Sequence, residues 1–183
     1  MSSTPQIRAK PPSSYFRRGC WVLIVQRMFL RAAQASEFPA LSALCLRSKG
    51  YWGYDAAFLE ACRPVLTLHP EELGSSHLAV AEDGGEVIGL VQVTIKGGEA
   101  ELAKLFVEPG AIGRGAGKRL YHWALEKSEA LGARSLRIEA DPGALPFYQR
   151  MGAVLEGSAP SEALPGRSLP LLRHWLGQAE ARG

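Results

Sequence analysis

The chain has 183 residues, of which 46% are hydrophobic and 21% charged, and its formal net charge at pH 7 is +3. This length and composition predict one globular domain with a substantial core and exclude a disordered chain. The positive charge lies at one end: residues 1–27 carry five basic side chains and no acidic one, which leaves −2 for the rest of the chain. A slightly acidic domain is not typical of nucleic-acid-binding proteins, so no nucleic-acid partner is expected.

Residues 1–27 are predicted to be a disordered or accessory N-terminal extension. Residues 2–14 are rich in Ser and Pro, and Arg17-Arg18 precede a short apolar run over residues 20–25. That run is too short for the apolar region of a signal peptide or for a membrane span, so no membrane association is expected. The segment is interpreted as a disordered tail or an over-long start; the alternative is an extra strand or a partner-binding segment.

The first half of the chain shows helical spacing followed by strand alternation. In chain order its predicted elements are a strand over 29–31, helices over 35–47 and 55–62, and strands over 77–82 and 86–95. Asp55 is a suitable N-cap for the second helix, which is expected to end near Pro64. Asp83-Gly84-Gly85 predicts a tight hairpin between the two strands.

The second half alternates strands and helices. Its predicted elements are a strand over 99–107, a helix over 114–131, a strand over 136–140, a helix over 141–151, and closing strands over 153–156 and 168–175. The residues of the longer helix expected to face inward are Leu120, Ala124, Leu125, Ser128 and Leu131. Gly132 is expected to end that helix. The order of elements indicates a mixed α/β domain.

The most informative motif is a glycine-rich turn between a strand and a helix, over residues 107–120. Such a turn directs unpaired backbone N–H groups outward, and the helix N-terminus adds partial positive charge, so the arrangement suits an anionic group. It is not a Walker loop, because Ile112 stands at the first glycine position and Arg119 replaces Ser or Thr. It is not a dinucleotide fingerprint either, because Lys118 takes the place of the third glycine.

The spacing Gly113-x-Gly115-x-Gly117, shortly after Val107-x-Pro109, resembles the acyl-CoA diphosphate loop of the GNAT N-acetyltransferase superfamily. Ile112 departs from the Gln or Arg usual before the first glycine, but that residue acts mainly through its backbone.

A second motif, over residues 141–152, resembles the Asn-x-x-Ala-x-x-Phe-Tyr-x-x-x-Gly segment of the same superfamily. Ala144, Phe147, Tyr148 and Gly152 occupy the expected positions. Asp141 replaces the usual Asn and can still accept a hydrogen bond or cap the following helix, which Pro142 at the first helical position supports.

The resemblance covers roughly residues 29–175. It implies a GNAT-like α/β (α+β) fold, in which a mixed, mostly antiparallel sheet flanked by helices is splayed at the acyl-CoA site. It divides the chain into the extension over 1–27, an acetyltransferase domain over 28–177 and a tail over 178–183. It also implies acetyl-CoA as cosubstrate, with the backbone of Leu105, Phe106 and Val107 carrying the pantetheine arm. The full set of expected cofactor contacts is Leu105, Phe106, Val107, Ile112, Gly113, Arg114, Gly115, Ala116, Gly117, Lys118, Asp141 and Tyr148.

Acetyl transfer from a thioester to an amine requires a deprotonated amine, a polarised carbonyl and a protonated leaving thiolate. By resemblance Tyr148 is the general acid; the alternative is a packed aromatic residue. Glu101, six residues before Val107, resembles the catalytic glutamate of the histone-acetylating branch and is the expected base. Glu99, Glu139 and a water relay are rivals, and Glu101 is equally interpretable as a solvated strand carboxylate.

Residues 50–54 follow the first predicted helix, where members of the family vary with their substrates. Tyr51, Trp52 and Tyr54 are expected to enclose the acceptor, and Arg167 is a candidate for contact with an acidic group. The expected function is acetylation of a primary amine of a small molecule by direct attack. The alternatives are a non-catalytic acyl-CoA-binding or regulatory domain, and an acetyltransferase for protein N-termini or lysines.

The cysteines and histidines show neither paired nor metal-ligand spacing, so no metal is expected. These residues are Cys20, Cys45, Cys62, His69, His77, His122 and His174. Cysteines of this kind are typical of reduced cytoplasmic proteins. A cytoplasmic enzyme is therefore expected, and a homodimer is compatible with the sequence.

Overall fold

The computed structural model describes residues 28–177. The predicted N-terminal extension and C-terminal tail lie outside these residues. Within them, seven strands form one sheet: β1 (Phe29–Ala32), β2 (Ser76–Asp83), β3 (Glu86–Lys96), β4 (Glu99–Val107), β5 (Ser135–Glu139), β6 (Val154–Pro160) and β7 (Ser168–Trp175). The helices of the same part are α1 (Phe38–Gly50), α2 (Ala56–Leu66), α3 (Ala116–Ala130) and α4 (Leu145–Arg150).

The sheet has the order β1-β2-β3-β4-β5-β7-β6, and all neighbouring strands are antiparallel except β4 and β5. Helix α3 packs on one face, over β2, β3 and β4, while α1 and α2 pack against each other beside β4. Each face has its own buried cluster, centred on Leu120 and Tyr121 under α3 and on Leu41 and Leu90 under α1. The predicted mixed, mostly antiparallel sheet flanked by helices is confirmed.

Strands β4 and β5 separate after a short parallel contact. Only Ala100 and Glu101 pair with β5, opposite Leu136 and Arg137. Nearby, the register between β3 and β4 shifts, so that Ala103 has no partner and β4 carries a bulge. The splay leaves one edge of β4 without a strand partner from residue 102 onward, in the middle of the sheet.

Most predicted elements are found, and the differences have local causes. Asp55 caps α2 as predicted, by accepting the Phe58 N–H at 2.8 Å. The predicted end of this helix at Cys62 is wrong: the helix continues through Pro64 to Leu66, which is buried under α1. Pro64 lies in the last turn of the helix, so its missing N–H removes one helical hydrogen bond close to the end.

Helix α3 begins at Ala116 rather than Arg114, since Gly113 and Gly115 have φ of +84° and +91° and keep the loop out of helical geometry. At the other end Leu131 is 40% exposed rather than inward-facing, because the helix has ended at Ala130. The predicted helix over 141–151 is a 3-10 turn, Pro142–Ala144, followed by α4.

Candidate functional site

A cavity of about 490 Å³ occupies the space between the splayed strands β4 and β5. The glycine loop and the start of α3 form one end, and α4 forms a wall. Expected site residues that line it are Trp52, Leu105, Phe106, Val107, Ile112, Gly113, Gly115, Gly117, Lys118, Asp141 and Tyr148. Of the other expected residues, Arg114 points away and pairs with Asp83 at 2.7 Å, and Ala116 is buried in the core. The two sequence motifs therefore meet in one place.

The glycine loop presents free backbone donors to this cavity. The first hydrogen bond of α3 runs from the Arg119 N–H to the Gly115 carbonyl, so the preceding N–H groups have no helical partner. A Cβ added at Gly113 or Gly115 would meet no atom within 4 Å, which shows open space beside the backbone. Together with the helix dipole and the ammonium of Lys118, the loop forms an anion-binding end of the cavity.

The free edge of β4 forms the floor. Alternate residues of a strand direct their N–H groups to opposite sides. The Val107 N–H donates to Ser48 Oγ on α1, at 3.3 Å. The Leu105 N–H is on the same side of the strand as that of Val107 and is therefore directed into the splay. An extended polar chain lying in the splay would find the Leu105 N–H as a hydrogen-bond partner, because the Val107 N–H is already used by Ser48.

Tyr148 on α4 is 7% exposed and lines the cavity. Burial, with a smaller contribution from the nearby Asp141 carboxylate, raises the pKa of the Tyr148 hydroxyl above its usual value. The hydroxyl is therefore protonated at neutral pH and has no hydrogen-bond partner among residues 28–177. The ring is held by Phe147 and Tyr121, at 5.1 and 5.7 Å between centroids. A fixed, protonated hydroxyl beside a cavity can donate a hydrogen bond to a bound ligand.

Asp141 is the centre of a buried polar cluster. Its carboxylate accepts from the Gly143 N–H at 3.0 Å, from Lys49 Nζ at 2.7 Å and from Tyr54 Oη at 3.0 Å. Arg167 Nη2 lies 3.8 Å away. Burial alone would raise the pKa of the Asp141 carboxyl, but the Lys49 ammonium and the other donors outweigh it and lower that pKa. The N-cap prediction is confirmed, and the carboxylate also joins α1, the α1–α2 turn and the β6–β7 loop.

The structure separates the three carboxylates considered as bases. Glu99, at the start of β4, pairs with Arg173 and lies outside the cavity lining. Glu101 lies where β4 and β5 still pair, outside the cavity lining, 3.5 Å from Lys96 Nζ and 3.7 Å from Arg137. Glu139 lies at the end of β5, lines the cavity and pairs with Arg137 at 2.6 Å. The residue predicted as base is therefore not brought to the cavity, while its rival Glu139 is.

Of the three aromatic residues after α1 that were expected to enclose the acceptor, Trp52 lines the cavity, and Tyr51 and Tyr54 do not. Trp52 packs directly on Gly143, where an added Cβ would lie 2.4 Å from the indole. Tyr51 is half exposed and contacts Trp52 edge to face. Tyr54 is not part of the cavity lining and stacks on Phe58 at 3.9 Å. Trp52 is therefore part of the cavity wall, while Tyr54 joins this segment to the Asp141 cluster.

Lys49 and Phe58 complete this cluster, and sequence reasoning missed both. Lys49 has a side chain 14% exposed, which is unusual for a lysine, but no local pattern links it to Asp141, 92 positions later. Tyr121 was missed as well. The Tyr121 side chain is fully buried, and its hydroxyl hydrogen-bonds with His174 Nδ1 at 3.0 Å. The inward face of α3 was predicted without this residue.

The described residues contain no group of three or more His, Cys, Asp or Glu side chains placed to hold a metal ion. None of the helices between residues 28 and 177 is long and apolar enough to cross a membrane.

Comparison with known proteins agrees with this geometry. Residues 45–153 match the sequence model of a protein family, the acetyltransferase (GNAT) family. A peptidyl-lysine N-acetyltransferase of Escherichia coli, YiaC, is 32% identical over 127 residues, which are 67% of this chain and 81% of that protein.

Solved structures resemble the fold at lower identity. A GCN5-related N-acetyltransferase from Rhodopseudomonas palustris has a TM-score of 0.69 and 19% identity, over 84% of this chain and 99% of that one. The PaiA N-acetyltransferase of Thermoplasma acidophilum, solved in complex with coenzyme A, has a TM-score of 0.67 and 16% identity, over 81% of this chain and 99% of that one.

Proposed function

Because the chain belongs to the acetyltransferase (GNAT) family, we propose that it transfers an acetyl group from acetyl-CoA to the primary amine of a small molecule. The observation that carries this proposal is the meeting of three features in one cavity: an anion-binding glycine loop, an unpaired strand edge and the hydroxyl of Tyr148. Each of these suits a different part of an acetyl-CoA molecule or of its reaction.

In the proposed complex the CoA diphosphate lies against the loop over residues 112–118. Ala116 contributes its backbone N–H, whereas the Arg114 N–H already donates to the Ala111 carbonyl at 3.2 Å. The pantetheine arm runs along β4 from Val107 toward Leu105. The thioester then lies near the bulge at Ala103, between the splayed strands. The presence of coenzyme A in the related PaiA structure supports a CoA ligand for this fold.

Replacement of Gly115 by Val tests this placement. The new side chain enters the open space beside the loop, so CoA affinity measured by calorimetry is expected to fall at least tenfold, about 1.4 kcal/mol. Gly98→Val is the matched control, because Gly98 has a similar φ of +81° in the β3–β4 turn, far from the cavity. It introduces comparable strain and is expected to leave CoA affinity unchanged. Unchanged affinity in the Gly115 variant would contradict the placement.

Direct attack by the amine is favoured over an acetyl-enzyme. Neither Cys45 nor Cys62 lines the cavity, both are buried, and burial raises the pKa of the Cys45 thiol to about 12. In the proposed reaction the amine nitrogen forms the bond to the carbonyl carbon and the carbon–sulfur bond breaks. Tyr148 gives its proton to the leaving thiolate.

We assign removal of the amine proton to Glu139, directly or through water, since it lines the cavity and Glu101 does not. Glu139→Gln is expected to lower kcat/KM about 100-fold at neutral pH. Activity should recover toward pH 10, because the amine then loses its proton unaided. Glu101→Gln is the comparison and should have a smaller effect. If the pH profiles of kcat/KM show a larger loss in Glu101→Gln than in Glu139→Gln, Glu101 is the base instead.

A small acceptor is favoured by a contact beside the cavity. The α1–α2 turn and the β6–β7 loop touch where Arg167 Nη2 donates to Tyr54 Oη at 2.5 Å, and Ala163 and Leu164 of that loop pack on the α1–α2 core. Because Tyr54 is hydrogen-bonded to the cavity residue Asp141, we infer that this contact limits the approach of an extended peptide. A peptide lysine is the second candidate, because the curated relative YiaC is a peptidyl-lysine acetyltransferase.

An acceptor panel with detection of the released CoA thiol tests the function. Small primary amines are expected to give faster thiol release than lysine-containing peptides. Faster release with peptides would favour the second candidate. CoA binding without turnover on any amine would indicate a non-catalytic acyl-CoA-binding domain.

A further inference from the structure

Arg167, in the loop between β6 and β7, does not itself line the cavity but lies 3.8 Å from Asp141, which does. It is held in a fixed position on the rings of Tyr54 and Phe58. Its guanidinium carbon lies 4.6 Å from the centre of the Phe58 ring and 4.9 Å from that of Tyr54. One nitrogen donates to the Tyr54 hydroxyl, and that hydroxyl donates to Asp141. The side chain is only 21% exposed. A guanidinium stacked and tethered in this way has lost most of its rotational freedom before any ligand binds.

The positive charge at this position is not balanced. Lys49 and Arg167 both lie near Asp141, and among the described residues no other carboxylate is within 4 Å of either cation. The shorter contact, at 2.7 Å, belongs to Lys49, while Arg167 is 3.8 Å from the carboxylate. The cluster therefore has a net charge of +1, and the surplus is on Arg167.

Most of the hydrogen-bonding capacity of Arg167 is also unused. A guanidinium has five N–H donors. Within residues 28–177 the Arg167 side chain donates to Tyr54 alone. No side-chain nitrogen of the described residues is fully buried without a partner, so the remaining donors of Arg167 are open to an incoming group. Fixed position, surplus charge and free donors are what bidentate binding of an anion requires.

We propose that the acceptor carries a carboxylate as well as its amine, and that Arg167 binds this carboxylate and so determines acceptor specificity. The inference rests on the proposed function, since it identifies a chemical class for the acceptor of that reaction. A carboxylate is the anion that fits, because its single negative charge balances the net +1 of the cluster. The carboxylate comes either from a small amino acid or from an acidic residue beside a peptide lysine.

The test compares matched acceptors. The first arm uses ω-amino carboxylates of three to six carbons and the corresponding neutral amides. The second arm uses lysine peptides that differ only by Glu or Gln beside the lysine. With the wild-type protein, kcat/KM for the carboxylate acceptor is expected to exceed that for its neutral counterpart at least about tenfold in one arm. The arm that shows this preference identifies whether the carboxylate belongs to a small amino acid or to a peptide.

Arg167→Gln should bring the ratio of kcat/KM between the carboxylate acceptor and its neutral counterpart close to one. It should leave the KM for acetyl-CoA unchanged. Arg167→Lys, which keeps the charge without the planar fork, should retain part of the preference. Arg63→Gln is the matched control, because Arg63 is an exposed arginine of α2 that pairs only with Glu60 among the described residues. This control should keep the full ratio.

The inference is overturned if wild type shows no preference in either arm, or if Arg167→Gln keeps the preference. Absence of turnover on every acceptor would contradict the proposed function instead. Binding then decides the inference: the ω-amino carboxylates should raise the melting temperature of the CoA-loaded wild type and not that of the CoA-loaded Arg167→Gln variant. An equal rise in both proteins, or no rise in either, would also overturn the inference.

Discussion

Replacement of Tyr148 by Phe is expected to lower the rate of acetyl transfer by roughly 100-fold or more. The substitution keeps the ring and its contacts with Phe147 and Tyr121 and removes only the proton donor. Without that donor the sulfur must leave as a thiolate. Affinity for acetyl-CoA should barely change, because the glycine loop is not altered.

The measurement is the single-turnover rate, since slow product release would hide part of the effect in steady-state kcat. Tyr121→Phe is the matched control. Tyr121 is also buried and lies beside Tyr148, but its hydroxyl bonds to His174 and it is not part of the cavity lining. The Tyr121→Phe variant should therefore have the single-turnover rate of wild type. A wild-type rate in Tyr148→Phe would remove this residue from the mechanism and leave protonation of the thiolate to water.

Asp141→Leu is expected to reduce the free energy of unfolding by about 3 kcal/mol or more. Removal of one partner from a buried ion pair leaves the other charge uncompensated, and here both Lys49 and Arg167 lose their counterion. The cap of the 3-10 turn before α4 is lost as well. Asp141→Asn keeps the size of the side chain and its N-cap hydrogen bond. Its free energy of unfolding should therefore lie between those of wild type and Asp141→Leu.

Chemical denaturation of the three proteins measures this effect. Glu60→Gln is the control, because it breaks a fully exposed pair with Arg63 and should leave stability nearly unchanged. If Asp141→Leu were as stable as wild type, the cluster would contribute nothing to the fold.

Acid should abolish the advantage of Asp141 over Asn. In the folded protein the pKa of this carboxyl is lowered, because Lys49 and the other donors outweigh the opposing effect of burial. A lowered pKa contributes stability that is complete above the unfolded value, near ~3.9, and is lost as the pH falls through the folded value. The difference in unfolding free energy between wild type and Asp141→Asn should therefore be constant from about pH 5 to 8 and decrease below about pH 4.

The sequence was most predictive where short-range patterns determine structure. The strands Glu99–Val107 and Ser168–Trp175 have the bounds that their apolar patterns predict. The N-cap of Asp55 depends only on its own side chain and the next turn of helix. Pro64 shows the limit, because burial of Leu66 keeps the last turn helical in spite of the proline.

The candidate site was less accessible to sequence reasoning, since its contacts join distant segments. The two motifs predict the glycine loop and Tyr148 on one cavity, and the structure places them there. Spacing along β4 favoured Glu101, but access to the cavity depends on where β4 and β5 separate, which is a property of both strands. The pairing of Lys49 with Asp141 and the stacking of Arg167 on Phe58 likewise arise only from packing.

In the proposed reaction this cavity transfers an acetyl group from acetyl-CoA directly to an amine. The most direct test is a single-turnover experiment with enzyme in excess over isotopically labelled acetyl-CoA, mixed with the best amine of the acceptor panel. The expected products are free CoA thiol and labelled N-acetyl amine, formed in equal amounts and at equal rates, with no label on the protein. Tight binding of acetyl-CoA with neither product formed would contradict acetyl transfer, and label retained on the protein would contradict direct attack.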